Sequence, residues 1–157
     1  MKSNVKLSKY AFILTLIINI VLIICCVSMF QETPGFWIVL SILLVLLIFG
    51  LLYGPTQIVA NPEYVIVKSY LRKHKILVRN IENVELFQPT MGAIRLCASG
   101  GYFGYWGIFR EGDIGRYAGF YGKSSDCFLI KKKNGDKYVL GCENPEEMVE
   151  YIQSQIK

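Results

Sequence analysis

Two uncharged apolar runs lie back to back near the start of this chain. The first is AFILTLIINIVLIICCVSMF, Ala11 to Phe30, and the second is FWIVLSILLVLLIFGLLYG, Phe36 to Gly54. Only Gln31 to Gly35 separates them. A helix rises 1.5 Å per residue, so runs of this length reach about 30 Å, the depth of a bilayer's hydrocarbon core. Residues 1–54 therefore read as a transmembrane helical hairpin, with spans at about 11–30 and 36–54. Residues 55–157 read as one β-rich domain at the membrane surface.

A secretory signal peptide is the competing reading of the first run, because Lys2, Lys6 and Lys9 resemble a basic n-region. The run is longer than an ordinary h-region, no A-x-A-like cleavage site follows, and a second full span comes next. Orientation follows from the flanking cations. Lys2, Lys6 and Lys9 precede the hairpin, and Lys68, Arg72, Lys73, Lys75 and Arg79 follow it, whereas the connecting turn carries only Glu32. Both termini are expected in the cytoplasm of a cell with this multi-pass protein in its inner, cytoplasmic membrane. The five cysteines are odd in number and lack C-x-x-C spacing, which fits thiols in a reducing compartment. The net charge is +5, too small to indicate nucleic acid. Asn19 is the strongly polar side chain of the spans and is expected to face the other helix or a second copy. Ser28, Ser41 and Gly50 are expected to permit close helix contact.

Beyond Pro55 the pattern is β. Thr56–Ala60 and Tyr64–Leu71 are apolar-rich strands around the turn Asn61-Pro62-Glu63. Arg72 to Lys75 read as a polar connection, with His74 a solvated turn residue. In the following KILVRNIENVELFQ, Ile76, Val78, Ile81 and Val84 are the inward positions, and Ala93–Ala98 is another strand. Ser99–Lys123 holds eight glycines interleaved with aromatics. No helical period follows, so these glycines mark bends and bulges in curved strands rather than a phosphate-cradling loop. Cys127–Lys133 and Asp136–Cys142 flank Asn134-Gly135, a strong hairpin signal. Lys131, Lys132 and Lys133 form its solvated end. A helix closes the chain. Asn144 is its N-cap, Pro145 its first residue, and Met148, Val149, Ile152 and Ile156 its apolar stripe.

This order of elements, with GYFGYWGIF (Gly101–Phe109) and NPEEMVEYI (Asn144–Ile152) as its most specific parts, resembles the bacterial pleckstrin-homology-like (PH-like) domain proteins, in a membrane-anchored form. The resemblance covers about Pro55 to Ile156. It implies a seven-stranded, strongly bent β-sandwich or barrel capped by a C-terminal α-helix, and binding or scaffolding rather than chemistry. Eukaryotic relatives in fold hold phosphoinositide head groups through basic residues of the first strand-to-strand loop. The corresponding Asn61-Pro62-Glu63 has no Lys or Arg, so that ligand is not carried over.

No catalytic constellation, metal site or cofactor site is read from the residues. One histidine and scattered cysteines make neither a nucleophile–base pair nor a zinc site. Glu111, Asp113 and Asp126 read as solvated loop acids. Three functions compete. The first is a membrane-tethered module that binds a protein or a second copy of itself, with Tyr102, Phe103, Tyr105 and Trp106 as candidate partner contacts. The second is a sensor of anionic lipid through Arg72, Lys73 and Lys75. The third is an accessory subunit of a membrane transporter or enzyme.

Overall fold

A computed structural model describes residues 1–30, 33–90, 92–112 and 114–156, with the Thr33 side chain outside that description. Two helices, α1 (Lys9–Ser28) and α2 (Thr33–Tyr53), form the hairpin. Ser8 caps α1 by accepting the Ala11 N–H at 3.1 Å. Helix α2 begins at Thr33, so Pro34 and Gly35 belong to its first turn rather than to the connection, as proline's fixed φ allows. Large apolar side chains point outward on both helices: Phe12, Ile17, Ile24, Trp37 and Val45 are each about half exposed or more. Both helices are long and apolar enough to cross a membrane, and this outward apolar surface suits lipid rather than water.

Among the described residues ten strands follow the chain order β1 (Lys2–Asn4), β2 (Pro55–Ala60), β3 (Tyr64–Ser69), β4 (Lys73–Leu77), β5 (Ile81–Leu86), β6 (Ile94–Gly101), β7 (Gly104–Glu111), β8 (Gly115–Tyr121), β9 (Cys127–Lys132) and β10 (Lys137–Gly141). They make a four-stranded sheet, β1-β2-β3-β4, and a six-stranded sheet, β5-β9-β10-β8-β7-β6. Helix α3 (Pro145–Gln155) ends the fold. The expected architecture is present: two apolar helices, a two-sheet β domain and a C-terminal helix.

The strand number exceeds the seven expected, for identifiable reasons. Strand β1 lies in what reads as a basic flank, and three residues are too few for a period to show. Ser3 pairs with Ile58 of the antiparallel β2. Strand β4 lies where Arg72–Lys75 read as a polar connection. It is an edge strand, and edges tolerate or favour lysine because charge blocks further pairing. Strand β1 enters the hairpin and β2 leaves it, so the two helices are an insertion between adjacent antiparallel strands. A salt bridge from Lys6 to Glu143 (2.6 Å) and a bond from the Glu143 N–H to the Asn4 carbonyl (2.9 Å) tie this segment to the approach of α3.

The core lies between the sheets. Ile58, Val65, Val67, Ile76, Val78, Ile81, Val84, Phe128, Ile130 and Leu140 face one another there, and Met148, Val149 and Ile152 of α3 close the open end. Each such side chain contributes about 1.5–3 kcal/mol when fully buried. The outer face of the second sheet is apolar too. Phe109, Tyr117, Tyr121, Leu129 and Val139 pack there under Phe87 and Tyr105, which is why β9 is buried on both faces. At the start of α3, Pro145 takes an early helical position as read from the sequence. Asn144 occupies the N-cap, but its side chain makes no capping bond.

Candidate binding surfaces at the membrane junction

The glycine-aromatic segment forms the long hairpin β6–β7 and the adjoining β8. Its tip is the two-residue turn Tyr102-Phe103 between paired Gly101 and Gly104. Phe103 has φ 53°, a region that bulky residues avoid. The surroundings enforce it. The Phe103 N–H donates to Thr15 Oγ1 of α1 at 2.9 Å. Its ring lies on Gly50 of α2 and its Cβ on Gly54 just beyond the helix: a Cβ at Gly50 would stand 2.5 Å from Phe103 Cδ2, and one at Gly54 would stand 2.9 Å from Phe103 Cβ. The Tyr102 hydroxyl donates to Asn19 Oδ1 at 3.3 Å. Trp106 stacks on Tyr53 at 5.4 Å and donates its indole N–H to the Tyr102 carbonyl at 2.9 Å.

This clasp revises the reading of the anchor. Asn19 meets the β domain rather than the other helix or a second copy. Gly50 admits a phenylalanine ring rather than a helix, while Ser28 and Ser41 donate to carbonyls of their own helices, Ile24 and Trp37. Tyr102, Phe103 and Trp106 thus engage the chain's own hairpin. Tyr105 projects from the opposite face of β7, as strand alternation requires, and stacks on Tyr121 at 5.1 Å.

The three candidate lipid contacts lie on one turn and on the strand that follows it. Arg72 sits in the β3–β4 turn with its guanidinium 5.2 Å over the Tyr53 ring. Lys73 and Lys75 share the exposed face of β4, and Lys75 lies 5.5 Å over Tyr64. The turn is fixed to the anchor, because the Leu71 N–H donates to the Leu51 carbonyl at 3.1 Å. Tyr70 and Leu71 project from it, 67% and 65% exposed.

His74 is not the solvated turn residue read from the sequence. It lies on β4, half-buried, stacked on Phe120 (5.8 Å) and tilted against Tyr138 (5.5 Å). It lines a cavity of about 270 Å³ with Arg72, Ser69 and Tyr53, and its Nε2 is buried without a hydrogen-bond partner among the described residues. Burial first, then the charges of Arg72 and Lys132, hold its imidazole below the ordinary value. Glu111 is likewise a correction, being 5% exposed rather than solvated. It accepts from the Thr90 N–H at 2.9 Å and from the Tyr117 hydroxyl at 3.4 Å, so it pins the loop after β5. Burial, reinforced by the Glu111 charge, pushes Tyr117 up. Asp126 accepts from Ser125, and Asp113 lies outside the described residues. Among the described residues no group of three His, Cys, Asp or Glu is placed to hold a metal, and the five cysteines are free thiols.

A profile of the bacterial PH domain matches residues 56–156, well over half of the chain. The chain belongs to the bacterial PH domain family. The resemblance read from Gly101–Phe109 and Asn144–Ile152 is thereby borne out, and the β domain with its closing α3 is the PH domain. No curated protein and no solved structure matches the chain. What the sequence did not disclose is the clasp. Its only traces are Gly50 and Gly54, spaced one helical turn apart, and Thr15 and Asn19 on one face of α1.

Proposed function

We propose that this protein is a membrane-anchored PH-domain binding module that meets anionic lipid head groups on the cytoplasmic face through Arg72, Lys73 and Lys75. The observation that carries this reading is the bond from Leu71 to Leu51, which fastens the basic β3–β4 turn to the domain-side end of α2. A turn held there stands at head-group level whenever α2 spans a bilayer. Cations at that level contribute on the order of 1 kcal/mol each toward an anionic surface. None of the three is in a salt bridge among the described residues.

The test is lipid enrichment around the intact protein. Polymer-extracted discs from a mixed phosphatidylcholine and phosphatidylglycerol membrane are analysed by lipid mass spectrometry. Wild type enriches phosphatidylglycerol over the bulk ratio, and the triple variant R72E/K73E/K75E returns to it. Equal enrichment in both refutes the reading.

A protein partner, or a second copy of the chain, is the second reading. The aromatic residues that had recommended it are turned inward, apart from Tyr105. It now rests on the unpaired outer edge of β6, where Ile94 and Leu96 are 62% and 52% exposed. Crosslinking through the exposed Cys97 in native membranes tests it: a discrete adduct that Leu96→Asp removes supports it, and its absence removes this reading.

A further inference from the structure

Two β-turns descend beside the hairpin to the same level. The Tyr70-Leu71 turn is bonded to Leu51, and the Tyr102-Phe103 turn rests on Gly50 and Gly54. Between them opens a cleft of about 370 Å³. Tyr70 and Phe103 line it together with Phe12 and Leu16 of α1 and with Val5 and Leu7. Phe12 and Leu16 are 58% and 47% exposed and belong to the outward surface of α1. The cleft is therefore continuous with the face that the helices turn toward lipid.

Depth follows from helix geometry. Gly50 lies four residues inside Gly54, about 6 Å along the axis, and Asn19 lies eight residues inside Ala11, about 12 Å. Phe103 and the Tyr102 hydroxyl reach these levels. Backbone groups at such depth need partners, because lipid supplies none. The turn has them: the Phe103 N–H has Thr15 Oγ1, and the Tyr102 carbonyl accepts the Trp106 indole N–H at 2.9 Å. Tyrosine and tryptophan are the side chains that favour the membrane interface, and Tyr70, Tyr102 and Trp106 lie there.

We infer that both β-turns are immersed in the bilayer interface and that the cleft between them is a seat for a lipid acyl chain. The occupant is lipid rather than a peptide because Phe12 and Leu16, which line the cleft, belong to the outward apolar surface of α1. A two-helix anchor alone would let the domain tilt. Two inserted turns flanking the helices, with a chain packed between them, fix its height and face. This inference rests on the hairpin spanning a bilayer and is independent of the head-group reading, since it invokes no charge.

The experiment is tryptophan quenching in full-length protein reconstituted into vesicles of phosphatidylcholine with brominated acyl chains. The sequence has two tryptophans, Trp37 and Trp106. The variant W37F/W106F/Y70W places one tryptophan in the cleft, and W37F/W106F/S154W places one on the exposed face of α3 as the aqueous reference. The expected result is at least twofold stronger bromine quenching at position 70 than at 154, with the order reversed for iodide. If position 70 follows the reference with both quenchers, the inference is overturned. Should the triple variants fail to fold, W37F alone reads the other turn through Trp106. Bromine quenching there beyond that seen with iodide supports immersion, and iodide quenching alone refutes it. Charge reversal by R72E/K73E/K75E leaves the bromine result unchanged, so failure here and failure of the head-group reading are separate outcomes.

Discussion

Replacing Thr15 with valine tests the clasp by removing one oxygen while keeping the side chain's shape. Thr15 Oγ1 accepts the Phe103 N–H at 2.9 Å and donates to the Ala11 carbonyl at 2.7 Å. The Ala11 carbonyl retains its helical bond to the backbone, so little is lost there. The Phe103 N–H has no alternative, because φ 53° in a two-residue turn aims it at α1. A donor left unpaired in such a place costs about 1–3 kcal/mol. At 1.4 kcal/mol per tenfold, the undocked population rises roughly 5- to 150-fold. Urea unfolding in detergent micelles, followed by Trp106 emission in the Trp37→Phe background, reads this directly. With a slope of about 1–3 kcal/mol/M, a loss near 2 kcal/mol lowers the midpoint by about 1 M. Thr15→Ser keeps the hydroxyl and should stay close to wild type. A Thr15→Val midpoint no lower than that of Thr15→Ser would show that the clasp bond does not hold the domain.

Gly107→Val should detach β6 from β7. Gly107 has φ +119°, and a Cβ there would overlap the Cys97 carbonyl and stand 2.6 Å from Ala98 Cα. Strain alone costs about 1–3 kcal/mol, so circular dichroism melts should show a lower midpoint, whereas Gly112→Ala, with open space around it, should not. His74 predicts a pH dependence. An imidazole held below its ordinary 6.5 lets the unfolded chain take up protons first, so stability is full above that pH and declines as pH falls toward the folded value. Thermal melts between pH 8 and 5 should show this decline in wild type and a shallower one in His74→Phe. Identical slopes would place the titration elsewhere.

Much of the PH domain is legible in the chain because its signals are local. Ile76, Val78, Ile81 and Val84 point inward as their spacing demands, and Asn134-Gly135 makes its turn with Gly135 at φ 86°. The same holds for the helical spans, where length and the absence of charge settle the matter. Strand β4 escapes because edge protection puts lysine and arginine where a buried strand would carry valine. Glu111 escapes because its partners, Thr90 and Tyr117, come from a different loop and a different strand. The clasp is the extreme case. It joins residues 15 and 19 to residues 102 and 103, and no periodicity encodes a contact over more than eighty positions. The basic turn was visible as charge, but its fixation to Leu51 is a backbone bond that side-chain identity does not announce.

Strand β1 leaves the ribosome before either helix, and its partner β2 leaves only after both. For a hairpin that spans a bilayer, the first sheet cannot close until both helices have crossed and the polypeptide is back on the side where it began. A molecule in which one helix fails to insert would strand β1 and β2 on opposite faces of the membrane. It would expose the open flank of β2 to proteases and chaperones. Pairing of β1 with β2 thus excludes a copy in which a single helix has crossed.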